Sequence, residues 1–165
     1  MESYLITHTN VVQATNDKQQ VEPMLKALLV LPAPLGRVEA LVADTGYFSA
    51  ANVNACVGNK MTPLIAVSRE SHHPDPLERF TEPPSLPAGA TEVDKMRHRL
   101  KTSGGRGLYA KRKCTVEPVI GIIKSVLGFR QFRLRGLENI NGEWNVVALA
   151  WNMKRMFNMM REVRA

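Results

Sequence analysis

The chain has 165 residues, 44% of them hydrophobic, enough for one domain, or a truncated part of one, with a real core. No run of about 18 apolar residues and no basic-then-apolar leader is present, which weighs against membrane insertion and secretion and for a cytoplasmic setting. The formal charge of +7 suits a nucleic-acid partner, and Cys56 and Cys114, without metal-ligand spacing, read as reduced thiols.

In chain order, Tyr4 to Val12 is sheet-strand material. Asp17-x-x-Gln20 opens the helical pattern Val21, Met24, Leu25, Leu28, so Asp17 reads as a capping-box residue rather than a catalytic acid. Val38 to Ala43 is short, apolar and β-compatible, and Asp44-Thr45-Gly46 stops it with turn residues. Asp44 then sits at a strand's carboxyl end, the edge where open α/β sheets bind ligands. Tyr47 could stack on a nucleotide or pack beneath that turn. Ser49 to Val57 reads as a helix ended by Gly58-Asn59, and Met61 to Val67 as another strand.

From Ser68 to Gly89 the prolines Pro74, Pro76, Pro83, Pro84 and Pro87 forbid regular structure over much of the stretch, which reads as an insertion or surface excursion. His72-His73-Pro74-Asp75 within it is a surface loop rather than a metal site, because adjacent side chains on an extended loop diverge. Thr91-x-x-Asp94 caps a basic helix through about Lys101. Ser103-Gly104-Gly105-Arg106-Gly107 reads as a flexible joint and lacks the context of a phosphate-binding loop.

The next helix is expected to start after Cys114 or Thr115, with Pro118 in its first turn and Val116, Val119, Ile120, Ile123 and Leu127 on an apolar face. Glu117 would lie near the helix N-terminus, which favours its ionised form, and would share a face with Lys124. Trp144, Val147, Trp151, Met153, Met156, Phe157 and Met160 follow in helical register and read as core. No internal repeat or coiled-coil array is evident.

Charge is segregated. Residues 1–91 carry 6 Lys/Arg against 9 Asp/Glu, and residues 92–165 carry 16 against 6. Within 111–135, Lys111, Arg112, Lys113, Lys124, Arg130, Arg133 and Arg135 accompany one acid, Glu117, a concentration suited to phosphate backbones; the plain alternative is a solvated basic face. A carboxylate past a buried strand and a second on a basic helix are what divalent-metal phosphoryl chemistry uses, since oxygen ligands must converge from separate elements.

Ala43-Asp44-Thr45-Gly46-Tyr47, followed by Tyr109, Arg112, Lys113, Glu117 and Lys124, resembles the catalytic half of DDE-type insertion-sequence transposases. That family has a Gly-Tyr pair after its second Asp. Its last acid lies in a pattern of Tyr, two residues, Arg, three residues, Glu, six residues, Lys. The Glu117 to Lys124 spacing fits; Lys113 stands in the Arg position, and Tyr109 and Arg112 keep their mutual spacing one residue early. Gly128-Phe129-Arg130-Gln131-Phe132-Arg133-Leu134-Arg135-Gly136-Leu137-Glu138 and Ala150-Trp151-Asn152-Met153-Lys154-Arg155 also look like these enzymes.

The resemblance implies a ribonuclease-H-like mixed α/β fold, with Val38 to Ala43 as its fourth strand. It also implies that the first strand and its Asp are missing, as in an N-terminally truncated domain. Residues 1–67 would be the N-terminal part of the core, 68–115 the Pro-rich insertion and basic helix, and 116–165 the Glu-bearing and C-terminal helices. Asp44 and Glu117 would be catalytic ligands of Mg2+ or Mn2+ in the intact enzyme. Tyr109, Arg112, Lys113, Lys124, Arg130, Arg133 and Arg135 would contact DNA, both transposon ends and target. The implied activity is metal-dependent phosphodiester cleavage and strand transfer, with a catalytically inactive DNA-binding remnant as the alternative. A homodimer and a nucleoid-associated cytoplasmic location complete the expectation.

Overall fold

A computed structural model of the chain describes residues 3–68 and 81–164. The described elements, in order, are a 3-10 turn Asp17–Gln20, α1 (Val21–Leu29), a 3-10 turn Ala33–Leu35, β1 (Ala40–Ala43), a 3-10 turn Thr45–Tyr47, α2 (Ala50–Gly58), β2 (Thr62–Ile65), α3 (Glu92–Lys101), α4 (Ser103–Ser125) and α5 (Leu137–Arg164). The protein is therefore α/β, mostly helical with a small parallel sheet. The chain divides into two compact units, one of Ala14–Arg112, the other of Met1–Gln13 with Lys113–Ala165. The His72-His73-Pro74-Asp75 stretch and the prolines Pro74 and Pro76 lie outside the described residues, while 81–90 contains no helix or strand.

The unit Ala14–Arg112 is built on a β–α–β crossover. β1 and β2 pair in parallel, Ala40 with Thr62 through Ala43 with Ile65, and α2 connects them. A parallel pair needs such a crossover, and Ser49 supplies its cap by accepting a hydrogen bond from the Asn52 N–H at 3.0 Å. Two apolar clusters hold the unit: Val21, Leu25, Cys56 and Met61 under α1, and Val53, Ile65 and Met96 under α3. Leu41 and Tyr47 pack against both. Burial pushes the Cys56 thiol up from its ordinary value. α3 begins with the expected capping box, Thr91 and Asp94 each bonding the other's backbone.

Asn16, not Asp17, is the cap at the first turn, its side chain accepting from the Lys18 N–H at 3.0 Å. The expected joint at 103–107 is the first turn and a half of α4. Thr102 caps that helix, its hydroxyl accepting from Gly105 N–H at 3.1 Å while donating to Arg99 O at 2.7 Å. Gly105 is needed there because a Cβ would lie 1.8 Å from Arg99 O. Gly105 therefore permits a tight helix–helix corner.

In the other unit, the buried face of α4 is Val119 and Ile123, packed with Trp151 and flanked by Tyr4, Ile6, Ile122, Phe129, Trp144 and Val147. Pro118 lies inside the 23-residue helix, and Glu117 is mid-helix rather than at an N-terminus, so no helix-end dipole acts on it. Val116, expected on the apolar face, is exposed. Met153, Met156, Phe157 and Met160, expected as core, are exposed too, while Trp151 is buried.

The strand expected at Tyr4 to Val12 forms no ladder, although part of it lies along α5. Asn152 bonds both the N–H and C=O of Ile6, at 2.8 and 2.7 Å, and Asn141 bonds those of Val11, at 2.7 and 2.9 Å. Trp151 Nε1 donates to Tyr4 O at 2.8 Å, and Thr9 Oγ1 donates to Asn145 at 2.6 Å. The match is geometric. Eleven helical residues rise about 16 Å, and five extended residues span about the same. Side-chain amides thus satisfy backbone groups that a strand would otherwise have paired.

Candidate functional site

β1 delivers Asp44 to the carboxyl end of the parallel pair, where it begins the Thr45–Tyr47 turn. Its backbone C=O accepts from Tyr47 N–H at 3.2 Å, but its carboxylate does not cap the turn and remains exposed. The Arg112 guanidinium stands 3.8 Å from Asp44 Oδ2 and 5.8 Å from the Tyr109 ring centroid. Tyr109 and Arg112 thus act together on one face of α4, as their spacing predicts. In this arrangement Arg112 pairs with the acid.

Asp17 reaches the same turn. A Cβ on Gly46 would lie 3.2 Å from Asp17 Oδ2 and 3.5 Å from Asp44 Oδ1, so two carboxylates converge on that glycine. Asn52 holds them there. Buried beneath the turn, its amide donates to Lys18 O and to Tyr47 O, both at 2.8 Å, tying the residue after Asp17 to the carbonyl that ends the Thr45–Tyr47 turn. The Tyr47 phenol is raised above its ordinary value by burial first, then by the negative charges of Asp17 and Asp44. Its packing against both clusters shows the aromatic ring beneath the turn.

A capping pattern accounts for Asp17 in the sequence, and no motif singles out Asn52. The signal for Asp17 was ambiguous, because a carboxylate three residues before Gln at a helix start has a local use. Asn52 gave only one hint, a polar residue inside the short helix before Val53, where an apolar residue would ordinarily face the sheet.

Glu117 lies in the other unit, exposed on α4 two turns before the exposed Lys124. Lys113 is also exposed, as are Arg130, Arg133 and Arg135 in the segment between α4 and α5. That segment is pinned. Both oxygens of the Glu143 carboxylate accept from Arg133 N–H at 3.0 Å, and one accepts from Leu134 N–H at 3.1 Å. Phe129, Phe132 and Trp144 pack beside it with ring centroids 5.5 to 6.3 Å apart.

Among the described residues, no three His, Cys, Asp or Glu side chains gather into a cluster that would hold an ion by themselves. The donors at Asp44 and Asp17 are nevertheless hard oxygens at an exposed rim. They suit Mg2+ or Mn2+ better than a softer metal, since Mg2+ keeps waters and takes one or two carboxylates plus substrate phosphates.

A family model described as a transposase DDE domain matches residues 87–157, a stretch that contains Glu117, Lys124 and the arginines before α5 but not Asp44. No curated protein and no solved structure matches the chain.

Proposed function

From a chain that belongs over residues 87–157 to the DDE-type transposases, we propose a metal-dependent function in phosphodiester cleavage and DNA strand transfer. Asp44 and Glu117 are its metal-holding carboxylates, and the frame is ribonuclease-H-like with β1 as the fourth strand. The observation that carries the reading is Asp44 itself: an exposed carboxylate, spared from capping, at the carboxyl end of a parallel strand. The family match over 87–157, a range that includes Glu117, supports reading that residue as the second acid.

Bound there, a divalent ion supplies Lewis acidity to a phosphodiester and to the oxygen that attacks it. The chain's own residues do the rest. Asp44 and Glu117 present oxygen donors, and Asp17 adds negative charge beside Asp44. Lys124 and Lys113 offer exposed ammonium groups to phosphate oxygens, as Arg130, Arg133 and Arg135 offer guanidinium groups. Arg112, already against Asp44, neutralises part of the charge at the turn and would serve as a phosphate contact once an ion takes its place.

The test pairs metal binding with chemistry. Mn2+ titrated into the chain with transposon-end duplex present should bind at least about tenfold more weakly to Asp44→Asn and to Glu117→Gln, a loss of about 1.4 kcal/mol. Strand cleavage and joining, assayed in the intact enzyme to which the resemblance assigns the activity, should fall with either substitution by about a hundredfold or more. Unchanged Mn2+ affinity in either variant removes that carboxylate from the site.

A further inference from the structure

One cation serves two acids at the turn after β1. Arg112 Nη1 stands 3.8 Å from Asp44 Oδ2, and the Asp17 carboxylate converges with that of Asp44 on Gly46. Two carboxylates beside one glycine repel each other, and a nearby guanidinium offsets that repulsion. The two partners of the ion pair differ in burial. The Arg112 side chain is 25% exposed and has the Tyr109 ring 5.8 Å from its guanidinium carbon, whereas the Asp44 side chain is 54% exposed. The cation is thus the sheltered partner, and the carboxylate is the one open to a ligand from solvent.

We propose that Arg112 is an electrostatic gate on this turn: it holds Asp44 against a divalent ion until a phosphodiester draws the guanidinium away, so that metal and DNA load the site together. This gate presupposes the metal-site reading of Asp44 and adds the condition under which that site fills. An ion ligated by Asp44 lies about 2.1 Å from a carboxylate oxygen. A guanidinium 3.8 Å from the same carboxylate repels that ion and competes for its ligand.

A phosphate resolves the conflict. Its oxygens accept from the forked N–H groups of the guanidinium and coordinate the ion as well. Arginine suits such an exchange better than lysine, because one planar fork fits carboxylate and phosphate alike and stacks on an aromatic ring while it changes partner. Tyr109, one turn before Arg112 on α4, supplies that ring. The consequence is positive coupling, and coupling is reciprocal: the factor by which DNA raises metal affinity is the factor by which the metal raises DNA affinity.

The test measures binding rather than catalysis. Free Mn2+ is followed by electron paramagnetic resonance and duplex DNA by fluorescence anisotropy, both with the full chain. Saturating duplex should raise the Mn2+ affinity of the wild type by about tenfold, and saturating Mn2+ should raise the DNA affinity equally. Without DNA, Arg112→Gln should bind Mn2+ about fivefold more tightly than the wild type, the scale of an exposed ion pair, and the effect of DNA should shrink by the same factor. Tighter metal binding on loss of a side chain is the reverse of what a merely structural role produces. Arg97→Gln removes an equal charge that pairs with Asp94 at 3.7 Å, and it should match the wild type. Independent binding of Mn2+ and DNA to the wild type would overturn the gate without any variant. So would an Arg112→Gln chain that binds Mn2+ no more tightly, or an Arg97→Gln chain that gains as much. A failed metal-site reading has a different signature, Mn2+ affinity unchanged in Asp44→Asn, and that result overturns both.

Discussion

Asn52 shows how one buried polar side chain organises the turn after β1. Its amide bridges Lys18 O and Tyr47 O, its backbone N–H donates to the Ser49 hydroxyl that caps α2, and the result is that Asp17 and Asp44 both face Gly46. Removing the amide leaves two carbonyls without that donor beneath the turn, at a cost of about 1–3 kcal/mol. Asn52→Ala should therefore lower the urea midpoint and weaken Mn2+ binding together, while Asn54→Ala, one face away on α2, should do neither. Equal loss in both variants would show that α2 responds only to helix destabilisation. The acid at the strand end was legible because a turn sequence stops an apolar run at Asp44. The convergence of Asp17 was not, because it depends on a hydrogen bond between residues 34 apart in sequence. Local pattern carries caps and turns; it does not carry the tertiary contact that places two of them side by side.

At the scale of elements, the α3–α4 corner separates two readings of glycine. Ser103-Gly104-Gly105-Arg106-Gly107 has the composition of a joint, yet Thr102 caps a helix through it and Gly105 admits the Arg99 carbonyl. Ala at 105 places its Cβ against backbone, which cannot turn aside as a side chain would, so Gly105→Ala should destabilise by about 3 kcal/mol. Gly104 and Gly107 have nothing within 4 Å of an added Cβ. Ala at either should be neutral or stabilising by about 0.5–1 kcal/mol through helix propensity. Thermal melts of the three single variants decide the matter, and a flexible joint would make all three alike. The misplaced start of the Glu117 helix has a related cause. Pro118 suggests a first turn because it lacks an N–H, but Thr102 nucleates the helix four turns earlier and the chain runs through the proline. The elements with unambiguous punctuation, α2 between Ser49 and Asn59 and α3 at its Thr91-Asp94 box, were legible to within a residue or two.

Across the whole molecule, the property that sequence alone delivers most directly is charge. Sixteen of the 22 Lys/Arg residues lie after residue 91. The structure adds that the arginines between α4 and α5 are exposed on a segment whose backbone Glu143 fixes at Arg133 and Leu134. A fixed segment with free guanidinium groups loses less conformational entropy on meeting phosphates than a mobile one. Duplex DNA affinity should thus fall steeply with salt, and Arg130→Ala, Arg133→Ala and Arg135→Ala combined should flatten the slope by about one phosphate contact per contributing residue. Glu143→Ala provides the complementary arm. It removes an acid and so raises net charge, which by electrostatics alone should strengthen binding, yet it frees the segment and should weaken it. Titrations at several salt concentrations distinguish these outcomes. Weaker binding by Glu143→Ala with the slope nearly kept assigns the segment's role to its fixed geometry, and an unchanged slope in the triple variant takes those arginines out of the DNA contact altogether.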